Sequence, residues 1–373
     1  MAPRLTCGAS DRRSTTGQDH ARVQPLVVPQ GGGEPLARAQ DLSPLRLPHG
    51  GVFADPVAGL RHPVGVNQGV EQGLRAGPGQ DQWARWLLRE RFGGNEQQRD
   101  QVLAMLKPIR DRVLAGARVG MSDEVLDVGC GDGLLGLAAA DRVGPSGRVS
   151  FIDVSAELVG QCRQLAEAAG VADRCDFVVA ALPELVGIGD EMADVVVLRS
   201  VLIYVPDKAA ALRHLHRVLR PGGRLSLFEP INGFGFPEPS GWLWGFDMSG
   251  LEPLSTAVHA AYVRHTSRGG PDPMLEFDER DLLQGAQSAG FTDLTLTYEA
   301  QIGSRHPSAG SDLSTFLDSA ANPTVPTFRQ LLDEALTGPD RDLVERRIAD
   351  QLTAGTGRTR QAVAYLTGRR LPS

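Results

Sequence analysis

The chain has 373 residues, 41% of them hydrophobic and 22% charged, with a formal net charge of −7. This length allows two domains, or one domain with large insertions, and the apolar content suffices for a sizeable core. The acidic balance argues against broad contact with nucleic acid or an anionic membrane, no apolar run is long enough to span a bilayer, and the cysteines show no CxxC pairing.

Residues 1–80 are about one quarter Gly and Pro and hold no persistent period, which reads as a disordered leader. The N-terminus has no apolar segment of the secretory kind. With the cysteine usage, this places the expected location in the cytoplasm. Order is expected from Asp81. Trp83, Trp86 and Leu87 follow helical spacing, and Asn95 can cap a second helix with Gln98 in the capping-box position. Pro108 should kink that helix. Residues 81–120 thus read as helices covering the mouth of a site.

A regular alternation follows. Val125–Val128 reads as a buried strand, and Leu134–Asp141 as a helix. A second strand covers Arg148–Ile152 and ends at Asp153, after which Ser155 can cap a helix to about Ala169. Cys175–Val179 and Ala193–Leu198 are the third and fourth strands. Pro206 opens a helix running through Leu219, and Pro221-Gly222-Gly223 turns tightly into a fifth strand, Arg224–Phe228. Such βα alternation implies a parallel sheet with helices on both faces. Residues 230–276, crowded with Phe234, Phe236, Trp242, Trp244, Phe246 and Met248, read as a lid insertion. Phe277–Ala289 returns to helix and Asp293–Ala300 to strand. Residues 304–357 are mostly helical, and Arg360–Leu366 is a last strand. Antiparallel pairing of the last two strands would leave 304–357 as a cap between neighbours.

The chemistry centres on Val125-Leu126-Asp127-Val128-Gly129-Cys130-Gly131-Asp132-Gly133, an apolar strand running into three alternating glycines and a helix. Glycines permit a sharp turn and close approach of a ligand, and the helix N-terminus favours an anionic or polar group. Gly131 to Gly136 formally match GxGxxG, and Asp153 follows Gly131 by 22 positions, close to the ~20 of a dinucleotide site. Asp127 opposes NAD. An acid at that strand end suits a cationic amino group better than a pyrophosphate.

Residues 124–229 resemble the class I S-adenosylmethionine-dependent methyltransferases. The first-strand motif matches closely. Asp153 after Phe151-Ile152 corresponds to the acid that binds both ribose hydroxyls. Val218-Leu219-Arg220-Pro221-Gly222-Gly223 matches the family's turn before strand five. The resemblance implies an α/β, Rossmann-like, doubly wound seven-stranded sheet of order 3-2-1-4-5-7-6, with strand seven antiparallel. The catalytic domain would comprise 121–303 plus 358–373. It implies S-adenosylmethionine as cofactor, held by Asp127, Gly129, Cys130, Gly131, Gly133, Asp153 and Val154. Ala181 and Leu182 would line the adenine pocket, with the adenine hydrogen bond supplied by backbone, and Arg199 and Ser200 would close over the methionine part, while Arg199 could instead face the acceptor or form a salt bridge at the sheet edge. No metal is expected.

On the acceptor side, the aromatic insertion suits an apolar pocket or packs its own core. Tyr204, His259 and His265 are candidates to deprotonate or orient an acceptor. Glu229, at the end of strand five, faces ligand or pairs with an arginine. The resulting expectation is direct in-line methyl transfer to a small, partly apolar organic acceptor at O, N or C. The partner is then a small molecule, without membrane, and nucleic acid is disfavoured. The alternatives are an RNA or protein methyltransferase, kept open by Arg358, Arg360, Arg369 and Arg370, and a non-catalytic scaffold. An arsenite-type enzyme would need several thiolates at the acceptor, for which Cys130 and Cys162 are poorly placed.

Overall fold

A computed structural model describes residues 81–266, 272–304 and 312–372. The proposed leader at 1–80 lies outside them. Seven strands form one sheet: β1 (Glu124–Val128), β2 (Arg148–Asp153), β3 (Cys175–Val179), β4 (Ala193–Arg199), β5 (Leu219–Pro230), β6 (Thr292–Ser304) and β7 (Arg358–Arg369). Their spatial order is β3-β2-β1-β4-β5-β7-β6. The first five pair in parallel, and β7 runs antiparallel to both β5 and β6. This is the order that the methyltransferase resemblance implied.

The helices are α1 (Gln82–Leu88), α2 (Glu96–Gly116), α3 (Leu134–Val143), α4 (Ala156–Ala168), α5 (Lys208–Val218), α6 (Glu252–Thr266), α7 (Glu279–Ser288), α8 (Leu313–Leu317), α9 (Phe328–Ala335) and α10 (Gly338–Ala354). Strand β4 shows why the sheet needs cover on both sides. Val195 and Val197 enter one core with Val113, Leu114, Leu135 and Phe151, while Val196 and Leu198 enter the other with Leu212, Leu215, Leu225 and Leu282. A parallel strand buried on both faces carries a continuous apolar run for this reason.

Local signals account for most helix starts. The side chains of Asn95, Ser155 and Asp207 accept hydrogen bonds from backbone amides three positions later, at Gln98, Leu158 and Ala210. Helix α2 holds Pro108 within its span. Two boundaries differ from expectation. Asp207 caps α5, so Pro206 stays outside it. The Pro221-Gly222-Gly223 turn is absorbed into β5 as an irregularity, with Leu219 opposite Ala193 but Arg224 opposite Val195.

The two insertions share a third core. Leu243, Phe246, Met248, Val258 and Ala261 pack with Phe316, Leu331, Leu332, Val344 and Ile348. Trp244 and Phe316 both contact Phe328, at centroid separations of 4.3 Å and 4.8 Å. Trp244, Phe246 and Met248 therefore pack the lid and cap against each other, while Phe236 and Trp244 also line a cavity of about 300 Å³.

Candidate active site

The C-terminal ends of the parallel strands open into a cleft of about 650 Å³. This is where open α/β sheets place ligands. Its floor is built by the β1–α3 turn. Gly129 N and Cys130 N donate to Ile152 O at 2.7 Å and 2.9 Å, folding the loop across the end of β2. Gly129 has φ +71°, and a Cβ there would meet Val201 at 2.4 Å, so the position requires glycine on two counts.

Asp153 lines the cleft at the tip of β2. Its two carboxylate oxygens accept from Gly131 N and Ser155 N, each at 2.9 Å, so one side chain joins the glycine loop to the start of α4. Burial raises its pKa, and the two amides oppose that rise. Val154, Ala181 and Leu182 form the adjoining wall. Arg199, Ser200 and Tyr204 line the far side, after β4.

That far side is held by Glu229. Its carboxylate is fully buried and accepts from Val201 N, Leu202 N and Ile203 N at 3.0, 2.9 and 3.1 Å. It therefore organises the wall and is neither a ligand contact nor an arginine's partner. Burial pushes it up to about 7.

Helix α1 roofs the cleft with Trp83, Trp86 and Leu87, followed by Arg91. The roof is tied to the cap at two points. Trp86 Nε1 donates to Ala320 O at 2.9 Å, and Ala320 N donates to Glu90 O at 3.0 Å. Tyr262 of α6 and Asn322 complete the outer wall, with Asn322 Nδ2 donating to Tyr262 Oη at 3.3 Å.

Comparison with known proteins fits this geometry. Residues 125–223 match the methyltransferase domain family model. Residues 125–223 therefore carry a methyltransferase domain. Among curated relatives, the tRNA 5-carboxymethoxyuridine methyltransferase of Escherichia coli is 34% identical over 39% of this chain and 54% of its own length. A ubiquinone/menaquinone biosynthesis C-methyltransferase of Hahella chejuensis is 39% identical over 31% of this chain and 45% of its own. An arsenite methyltransferase of Halobacterium salinarum is 32% identical over 33% of this chain and 31% of its own. The chain thus spans about half or less of each relative's length.

The methyltransferase domain fits its cofactor in shape and chemistry. Two cleft-lining glycines with positive φ allow close approach, Asp153 offers carboxylate lone pairs, and a small apolar wall stands beside it. Asp132 Oδ1, in the same loop, is buried without a hydrogen-bond partner.

Of the cofactor-side residues read from sequence, Gly129, Gly131, Asp153, Val154, Ala181, Leu182, Arg199 and Ser200 line the cleft. Asp127, Cys130 and Gly133 stand behind it. Asp127 is 1% exposed and accepts from Gly136 N at 2.7 Å, which satisfies an orphan amide of the α3 N-terminus. It is not in the cleft wall, where it was expected to meet an amino group. Burial pushes it up to about 7. Cys130 and Cys162 have their sulfurs 3.7 Å apart in the core below the loop, and neither lines the cleft.

The three acceptor-side candidates separate. Tyr204 lines the cleft, edge-on to Trp83 at 4.9 Å. Burial pushes its phenol up to about 12, so it is a neutral hydrogen-bonding group near pH 7 and no base. His259 lies outside the cleft lining, 3.4 Å from Glu238. His265 pairs with Glu334 of α9 at 2.7 Å, in the joint between lid and cap. Both histidines are held by acids and do not converge on Tyr204. Sequence reasoning missed Arg91, Tyr262, Met274 and Asn322 as cleft residues. Arg91 carried one faint signal, a charge one turn beyond the apolar face of a helix already expected to cover the site.

Proposed function

We propose that this chain transfers a methyl group from S-adenosylmethionine to a small, partly apolar organic acceptor at an O, N or C atom. The observation that carries this reading is the shape of the cleft. The glycine loop, Asp153, Tyr204 and the Trp83–Trp86 roof enclose one volume of about 650 Å³, in the size range of small-molecule and cofactor sites. When bound, S-adenosylmethionine supplies an electrophilic methyl on a sulfonium. The chain's own residues then have three tasks.

In this proposal Asp153 receives the ribose hydroxyls, and each bond to a charged acceptor contributes about 1.5–3 kcal/mol. The Ser200–Tyr204 wall, clamped by Glu229, and the roof hold the acceptor in line with the methyl. Such positioning supplies up to about 7–11 kcal/mol of a bimolecular barrier. The aromatic roof excludes water, which favours a reaction that disperses charge.

Three of the four C-terminal arginines that kept an RNA acceptor open have structural uses. Arg358 stacks on Trp242 at 4.2 Å and Arg360 on Phe234 at 4.6 Å. Arg370 donates to His216 O, Arg217 O and Leu219 O. These contacts favour the small-molecule reading over an RNA surface. Calorimetric titration with S-adenosylhomocysteine and with NAD tests the site, and saturable binding of NAD alone would overturn it. Transfer of label from S-adenosylmethionine into small-molecule, tRNA and protein pools then tests the acceptor class. Label in tRNA or protein alone would reject the small-molecule acceptor.

A further inference from the structure

The charged residues that line the cleft are Arg91, Arg199 and Asp153. The lining therefore carries a net positive charge before any ligand enters. Asp153 is already engaged by two backbone amides. Of the other acids near this end of the sheet, Asp127 and Glu229 are turned into backbone donors behind the wall, and Asp132 of the glycine loop does not line the cleft.

The two arginines differ from six others in the fold. Arg85, Arg148, Arg217, Arg220, Arg224 and Arg370 each meet a carboxylate within 3.0 Å. Arg91 and Arg199 form no ion pair or side-chain hydrogen bond with another described residue, and Arg91 has only the Trp86 and Phe92 rings beside it, at 5.5 Å. The two cations also act on one another. Burial first, and then Arg199, pull the Arg91 guanidinium down, while Asp132 and Tyr204 pull it back up. Holding like charges together in a half-buried cleft is unfavourable unless an anion joins them.

The proposed methyl donor does not supply enough negative charge. At neutral pH it has one carboxylate against an ammonium and a sulfonium, so it adds positive charge to a positive lining. Its carboxylate can neutralise one guanidinium, and the second is left over. A second feature points the same way. No histidine lines the cleft among the described residues, and both cleft tyrosines, Tyr204 and Tyr262, are pushed up to about 12. A nucleophile that arrives as an anion needs no proton removed.

We propose that the acceptor is an organic acid, bound as its carboxylate by whichever of Arg91 and Arg199 the methyl donor leaves unpaired. This rests on the reading of the cleft as the donor and acceptor site. Arginine suits the role because its planar fork matches a carboxylate and it stays charged. If the carboxylate itself is methylated, an oxygen–carbon bond forms as the carbon–sulfur bond breaks. The electron pair of that bond goes to sulfur, the two opposite charges cancel and no proton moves. If a neutral amine nitrogen of the acid is methylated instead, the carboxylate serves as the handle, the nitrogen lone pair forms the new bond, the carbon–sulfur pair goes to sulfur, and any proton on the resulting ammonium leaves to solvent after transfer.

The test uses full-length protein saturated with S-adenosylhomocysteine and two probes of nearly equal shape, 3-phenylpropionate and 3-phenylpropionamide. Binding of each is followed by ligand-observed NMR and calorimetry, in wild type and in Arg91→Gln, Arg199→Gln and Arg91→Lys. The acid should bind at least ~10-fold more tightly than the amide, the size of one charge-assisted hydrogen-bond pair. One Gln variant should lose that preference while keeping S-adenosylhomocysteine affinity within about threefold of wild type. If that variant is Arg91→Gln, Arg91→Lys should recover part of the preference. Equal affinities, no binding of the acid, or a preference that survives both Gln variants would overturn the proposal. So would loss of S-adenosylhomocysteine binding in both Gln variants, because both cations would then belong to the donor. Failure of wild type to bind S-adenosylhomocysteine would instead sink the site assignment.

Discussion

Removing the Glu229 carboxylate tests whether this buried acid builds the cleft wall. Glu229→Ala would strip the acceptors from three amides, those of Val201, Leu202 and Ile203. A buried donor left unpaired costs about 1–3 kcal/mol, so the three amount to about 3–9 kcal/mol. Against this stands the burial of the charge. A rise from 4.5 to about 7 corresponds to about 3 kcal/mol above that pH, which the substitution relieves. The net expectation is a loss of several kcal/mol at pH 8. Glu229→Gln keeps an oxygen where Oε1 serves Val201 N and Leu202 N, and places an NH2 against Ile203 N. It loses one acceptor and relieves the same charge burial, so the two effects nearly cancel. Urea unfolding at pH 8, followed by tryptophan fluorescence with Trp83 against Tyr204 as a local reporter, measures both variants. The ranking should be wild type close to Gln and well above Ala. Calorimetry on the Ala variant should also show weaker S-adenosylhomocysteine binding, because Arg199, Ser200 and Tyr204 share the loosened segment. An Ala variant within 1 kcal/mol of wild type that retains full affinity would refute the reasoning.

Other outcomes follow from the same contacts. Asp153→Ala should weaken S-adenosylhomocysteine binding by about 10-fold or more, the equivalent of one or two bonds to a charged group, and calorimetry showing unchanged affinity would mean the ribose lies elsewhere. Gly129→Ala should abolish that binding through its positive φ and the clash with Val201, while a variant that binds normally would contradict the close-approach account. Asp127 and Glu229 both have folded pKa values of about 7, above their unfolded values. Between the ordinary carboxylate range and about 7 the folded chain holds protons that the unfolded chain has released. Stability should therefore fall as pH rises through that interval and level off above it, and Asp127→Asn should flatten the curve in urea melts. His265→Ala should leave methyl transfer intact and cost no more than about 1 kcal/mol, as its partner is the half-exposed Glu334 on the lid–cap joint; loss of turnover with normal stability would restore it as a site residue.

Local sequence determined the glycine-loop half of the cleft. Strand β1, its glycines, Asp153 after β2 and the Ser155 cap lie within a short span, and each rests on a rule of backbone conformation or capping that acts over a few residues. The alternation of apolar strands and amphipathic helices likewise made the doubly wound sheet legible, since the residues of β4 must be buried on both faces. The tertiary structure decided what depends on pairing across the chain. Trp86 meets Ala320 across 234 positions, and this contact, with that of Ala320 N to Glu90 O, ties the roof and the neighbouring Arg91 over the cleft. Glu229 looked like a ligand group because it ends a strand, but the amides that hold it come from the turn after β4. Asp127 looked like a cofactor contact, yet burial turned it to the nearest orphan amide of α3. The aromatic insertion and the histidines resembled acceptor chemistry until the cap supplied Phe316, Phe328 and Glu334 as their partners. A side chain's type is written in the sequence, but whether it faces a ligand or a neighbour depends on which distant surface folds against it.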